Sequence, residues 1–95
     1  MESYAVVWSE EQGALNIGRL ELQPDGILLD GSVARELPYR EMREVRVGRA
    51  GRERIAGRRT LLVQLVSGGI VAIASIGAPG TLSEVAEWLL PRVAV

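Results

Sequence analysis

Apolar residues in this chain recur at alternate positions or in short runs, and clusters of Gly, Pro, Asp and Ser interrupt them at short intervals. Alternation of this kind predicts strands, because successive side chains of a strand point to opposite faces. Tyr-Ala-Val-Val-Trp at 4–8 reads as the first strand, and Ser9-Glu10-Glu11-Gln12-Gly13 as a polar turn after it. Residues 14–23 form a longer strand with a slip in its pattern. Leu15 and Ile17 fall on one face, Leu20 and Leu22 on the other, with Gly18 at the switch. A bulge or bend at Gly18 is expected to bring both pairs to one core. Gln23-Pro24-Asp25-Gly26 is a turn, and 27–30 returns as the hairpin partner. A loop at 31–34 leads to Arg35–Tyr39, predicted to be a short edge strand because Pro38 cannot donate to a ladder.

Residues 42–48 alternate cleanly, with Val45 and Val47 on one face and Glu44 and Arg46 on the other. Residues 50–57 read as a loop, 59–66 and 70–76 as strands, and Ser67-Gly68-Gly69 as the turn joining them. With a three-residue turn, Val66 pairs with Ile70, Leu65 faces Val71 and Val63 faces Ile73. A two-residue turn would slide the pairing by one. Thr81-Leu82-Ser83-Glu84 reads as a capping box opening a helix at about 82–90, with Leu82, Val85, Ala86, Leu89 and Leu90 at helical spacing. Pro91 stops it. A helix this short is not stable alone in water, so its apolar face, Trp88 included, is expected to dock on the sheets.

The sum is a mainly β fold of six to seven strands and one C-terminal helix. Ninety-five residues suffice for one small domain, here taken as 1–95, with its β region at about 4–76. Short antiparallel strands joined by hairpins imply a sandwich or a partly open barrel, with the helix plugging one end.

Gly18-Arg19-Leu20-Glu21-Leu22, then Gly26-Ile27-Leu28-Leu29, then the run from Leu37-Pro38-Tyr39 to Val45, then Leu61–Val66 with Gly69 and the terminal helix, follow one another in a suggestive order. Over roughly residues 14–90 this order resembles the bacterial pleckstrin-homology-like (PH-like) domains, relatives of the GRAM family. The resemblance implies two near-orthogonal antiparallel sheets, or a partly open barrel, capped by a helix. It also implies a binding role, since family members bind lipid headgroups, peptides or other proteins. Members that bind phosphoinositides carry spaced basic residues about their first hairpin loop. Here the turn at 9–13 carries Glu10 and Glu11, and the turn at 24–26 carries Asp25, so neither is built to cradle a phosphate.

The residue inventory argues against catalysis. There is no Cys, His, Lys or Phe, and all eleven basic residues are Arg. The serines therefore lack a His or Lys base, Schiff-base chemistry and Cys- or His-ligated metal sites are out, and no P-loop is present. Asp25 and Asp30 flank a turn, where Asp is favoured for backbone reasons. We expect no cofactor and no enzyme activity. Met1-Glu2-Ser3-Tyr4 has neither a basic start nor an apolar core, and the apolar run at 70–76 is too short to span a bilayer. The expected location is the cytoplasm.

Charge is unevenly spread. Residues 40–59 hold eight Arg and three Glu, a net of +5, while the rest of the chain sums to −6. One reading is an anion-binding rim of Arg49, Arg52, Arg54, Arg58 and Arg59, because guanidinium groups suit bidentate binding of phosphate or carboxylate. An acidic protein or a membrane phospholipid surface would then be the partner. Nucleic acid is disfavoured, because no aromatic lies between 40 and 59 to stack on a base. The bland reading is a solvated loop, with the Arg-for-Lys usage reflecting codon bias. A second candidate surface comes from the last hairpin. Its outer side carries Leu62, Val66, Ile70 and Ile76 besides Ala72 and Ala74, where an antiparallel sheet usually turns polar. Either the helix or the N-terminal strand covers this side, or it meets a protein partner or another copy in a homo-oligomer. Of the aromatics, Trp88 is read as the helix's anchor, Trp8 as core or interface, and Tyr39 as packing across a strand edge. The leading expectation is a protein-binding scaffold module; the alternative is a peripheral anion or membrane binder.

Overall fold

Seven antiparallel strands and one C-terminal helix make up the fold, in a computed structural model that describes residues 3–11, 13–48, 51–55, 57–76 and 81–93, apart from the side chain of Arg52. The strands are β1 (Ser3–Glu10), β2 (Asn16–Leu22), β3 (Gly26–Leu29), β4 (Arg35–Pro38), β5 (Met42–Gly48), β6 (Thr60–Leu65) and β7 (Ile70–Ser75); the helix α1 is Thr81–Leu89. Short 3-10 turns fill Tyr39–Glu41 and Gly51–Glu53. The order across the sheet is β4-β3-β2-β1-β7-β6-β5. The first and last strands thus pair at its centre, while β4 and β5, neighbours in sequence, form its two edges. The sheet curls into a half-barrel closed by α1, the partly open barrel with a terminal helix that the pattern implies.

Alternation explains the inner face. Val6 and Trp8 of β1, Leu20 and Leu22 of β2, Ile27 and Leu29 of β3, Leu61, Val63 and Leu65 of β6, and Val71 and Ile73 of β7 form one core with Leu82, Val85 and Leu89 of α1. Fully burying an aliphatic side chain of this size is worth about 1.5–3 kcal/mol, which is why so short a helix holds its place. Trp8 is a core residue, and its indole N–H donates to the Asp30 carbonyl at 2.9 Å. Trp88 anchors the helix through a relay: its indole N–H donates to the Tyr39 hydroxyl (2.6 Å), which donates to the Gln23 carbonyl (2.6 Å). Arg92 stacks on the other side of this anchor, its guanidinium carbon 3.6 Å from the Trp88 ring centre. Tyr39, which directly follows the edge strand β4, is therefore also a buried link between helix and sheet. Leu90, counted on the apolar stripe, lies just past the helix and is 59% exposed; Val93 fills the core in its place. The helix begins at Thr81 itself, one residue before the expected start, and residue 80 before it lies outside the described residues.

Two expectations about register are corrected. No bulge occurs at Gly18: the β1–β2 ladder runs unbroken from Ser3↔Glu21 to Trp8↔Asn16. Leu15 and Ile17 consequently face outward, Ile17 at 73% exposure. Gly18 serves a close approach instead, since a Cβ there would stand 1.9 Å from the Asp30 carbonyl oxygen. The bulge sits in β5, between Met42 and Glu44. It lets Met42 and Val45, an odd spacing apart, share the inner face. The last hairpin pairs Gln64, not Val66, with Ile70, and Val63 with Val71. The difference from the expected register is two residues, so every side chain keeps its predicted face. Val66 moves into the turn, where its N–H donates to the Glu41 carbonyl at 2.8 Å.

No helix among the described residues is long and apolar enough to cross a membrane.

Candidate binding groove on the outer face of the sheet

The pairing registers lay out the outer face in rows across the strands. One row runs Val7–Ala74–Thr60, the next Ser9–Ala72–Leu62–Arg46, and the next brings Ile70 beside Gln64. The first row is covered, and its cover is the arginine-rich segment itself. After β5 the chain folds back over the sheet as a strap, and Ile55, the one large apolar side chain in it, is buried with Val7 and Ala74 against Ala72. Neither the helix nor the N-terminal strand provides this cover.

Local chemistry holds the strap down. The hydroxyl of Thr60, fully buried on β6, accepts from the Ile55 N–H and donates to the Arg58 carbonyl, both at 2.9 Å. The Arg58 N–H closes the loop onto the Ile55 carbonyl at 2.8 Å. Gly57 turns the chain with φ at +75°, a conformation that favours glycine. The Arg58 guanidinium reaches the Ser75 carbonyl at 3.4 Å, and Glu53 accepts from Arg46 of β5 at 2.5 Å. That hydrogen bond is the main cause of a raised Arg46 pKa; desolvation acts against it, and the charges of Glu53 and Glu44 add to it.

Between the strap and the β6–β7 hairpin lies a half-open groove of about 450 Å³. Leu62, Ala72, Ile55 and Ile70 form its apolar floor, with Ser9 at one end. Arg46, Glu53 and Arg54 stand on the strap side, and Glu11, Gly68 and Gly69 on the hairpin side. Glu11 is held there by its backbone. Its N–H donates to the Ile70 carbonyl at 2.8 Å with φ at +53°, a left-handed conformation that costs a non-glycine residue about 1–2 kcal/mol. Its carboxylate lies over Gly69, where a Cβ would come within 2.6 Å of Oε1.

The residues singled out in the sequence divide as follows. Arg54 lines the groove; Arg58 is engaged at Ser75; Arg59 is exposed away from the groove. Arg49 and the side chain of Arg52 lie outside the described residues. Leu62 and Ile70 meet in the groove floor, Leu62 at 8% exposure and Ile70 at 42%. Val66 stands exposed on the hairpin turn, and Ile76 follows the far end of β7, where its N–H donates to the Ala5 carbonyl. Sequence reasoning missed Ile55, Glu11 and Glu53. Ile55 carried a usable signal, as a lone large apolar residue in a charged loop. The placement of Glu11 depends on a backbone turn and a partner strand that residue type does not reveal. Comparison with family models, with curated proteins and with solved structures finds no match for this chain.

Proposed function

We propose that this chain is a non-enzymatic interaction module that binds a partner protein through the outer-face groove. The observation that carries this reading is the floor of Leu62, Ala72, Ile55 and Ile70 on the face where an antiparallel sheet normally presents polar side chains to water. The groove's volume falls in the lower half of the range usual for ligand sites, about 300–1,000 Å³. Its apolar floor and charged rim are the ordinary anatomy of a protein contact. A membrane phospholipid surface met by the arginines has less behind it. Arg58 is turned to a backbone carbonyl, Arg46 is paired with Glu53 and Arg59 does not line the groove, so of these cations Arg54 alone is left to meet an anion there.

The test is selection of binders from a displayed library of randomised peptides, followed by mapping of an enriched peptide on the folded protein by amide chemical shifts. Shifts should cluster on Ser9, Leu62, Gly69, Ile70 and Ala72. Ile70→Asp, a change at a partly exposed site, should abolish binding while leaving the spectrum of a folded protein. Peptide binding that Ile70→Asp leaves unchanged would refute the reading. Sedimentation of the free protein over a range of concentrations separates a second copy of the chain from a foreign partner.

A further inference from the structure

The groove's two walls carry opposite, uncompensated charges. Among the described residues, the ion pairs are Arg35–Glu10 and Arg46–Glu53. The guanidinium of Arg54 and the carboxylate of Glu11 take part in neither, nor in any side-chain hydrogen bond. They also flank the same floor. Arg54 belongs to the strap, which covers the row of Val7 and Ala74; Glu11 sits at the hairpin end, beside Gly69 and Ile70. The row of Ala72 and Leu62 lies between them. An unpaired cation and an unpaired anion on either side of an apolar floor define what fits there by charge complementarity.

We infer that the groove takes an extended segment of a partner protein in which an apolar side chain is bracketed by one acidic and one basic residue. The inference rests on the protein-binding reading above. The apolar side chain fills the floor over Leu62 and Ala72, the acidic residue meets Arg54, and the basic residue meets Glu11. Alternate rows on a sheet are about 7 Å apart, and an extended chain advances about 3.3 Å per residue. The two charged residues therefore fall within about two positions of the apolar one. The direction of the segment follows from which wall each charge meets. Glu11 adds a second reason to read function here, because its strained backbone holds an unpaired carboxylate over the groove.

The experiment is the peptide-library selection run in parallel on the wild-type protein, Arg54→Glu, Glu11→Gln and Ile70→Asp, each checked for a folded amide spectrum. Wild type should enrich an acidic–apolar–basic pattern. Arg54→Glu should lose the acidic preference and keep the basic one; Glu11→Gln should do the converse. For one synthetic peptide of the enriched pattern, Arg54→Glu and Glu11→Gln should each weaken binding about three- to tenfold, and Ile70→Asp should abolish it. Enrichment of apolar peptides without charge preference, abolished by Ile70→Asp, overturns this inference but leaves the groove as a binding site. No enrichment by the wild type overturns both. Salt-sensitive sedimentation with phosphatidylserine vesicles that Arg54→Glu abolishes, in the absence of peptide enrichment, assigns the arginine to a lipid surface and overturns this inference as well.

Discussion

Thr60→Val tests the reasoning about the strap most directly. Valine matches threonine in shape and strand propensity, so the change removes the hydroxyl and little else. Two hydrogen bonds of 2.9 Å go with it, one from the buried Ile55 N–H and one to the Arg58 carbonyl. If the strap stays in place, the Ile55 N–H is left buried and unsatisfied, at about 1–3 kcal/mol. If the strap lifts, that N–H reaches water, but Ile55 leaves Val7 and Ala74, at about 1.5–3 kcal/mol for a side chain of its size. The protein takes the cheaper route, so the cost is about 2 kcal/mol either way. For a domain of this size that lowers the melting temperature by roughly 8–16 °C. Thermal unfolding by circular dichroism gives the total, and hydrogen exchange at the Ile55 amide separates the routes: exchange becomes fast only if the strap lifts. In that case the groove loses a wall and peptide binding falls as well. Thr60→Ser keeps the hydroxyl and should restore slow exchange. A Thr60→Val protein melting within about 2 °C of wild type would refute the idea that this hydroxyl clamps the strap.

Three further changes probe the rest of the fold. Gly18→Ala sets a Cβ 1.9 Å from the Asp30 carbonyl oxygen, a backbone atom that cannot swing aside, and should cost more than about 3 kcal/mol; a soluble variant with native near-ultraviolet dichroism would contradict the close approach. Tyr39→Phe removes the acceptor of the Trp88 indole and the donor to Gln23, and should cost about 1–3 kcal/mol in urea denaturation with a shift in tryptophan emission; unchanged emission and stability would mean that the relay does not tie the helix to the sheet. Ile17→Thr should change stability by less than about 0.5 kcal/mol, because the side chain is largely in water. A loss above about 1.5 kcal/mol by the same method would restore the buried position that a bulge at Gly18 requires.

The chain's local patterns were enough to place the strands and the helix to within a residue or two, to put the outer-facing side of the last hairpin on one face, and to exclude His-, Cys- and Lys-dependent chemistry. These are properties of nearest neighbours along the chain and of residue type. Alternation survives even an error in the turn: Val66 left the ladder for the turn, and every face stayed as read, because a slip of two residues preserves the side-chain period. Where parity changes was decided by the tertiary structure. Gly18 looked like the switch, but its missing Cβ makes room for the Asp30 backbone, while the bulge falls near Arg43, where nothing in residue type marks it. The candidate site belongs to the same category. The arginine-rich segment and the apolar outer stripe read as two separate surfaces in sequence. In the fold they are one, because the strap lies down on the stripe through Ile55 and Thr60, and a left-handed turn at Glu11 supplies the opposite wall. Contacts between residues far apart in the chain depend on strand order and on how the sheet curls, and the sequence pattern of any one segment carries neither.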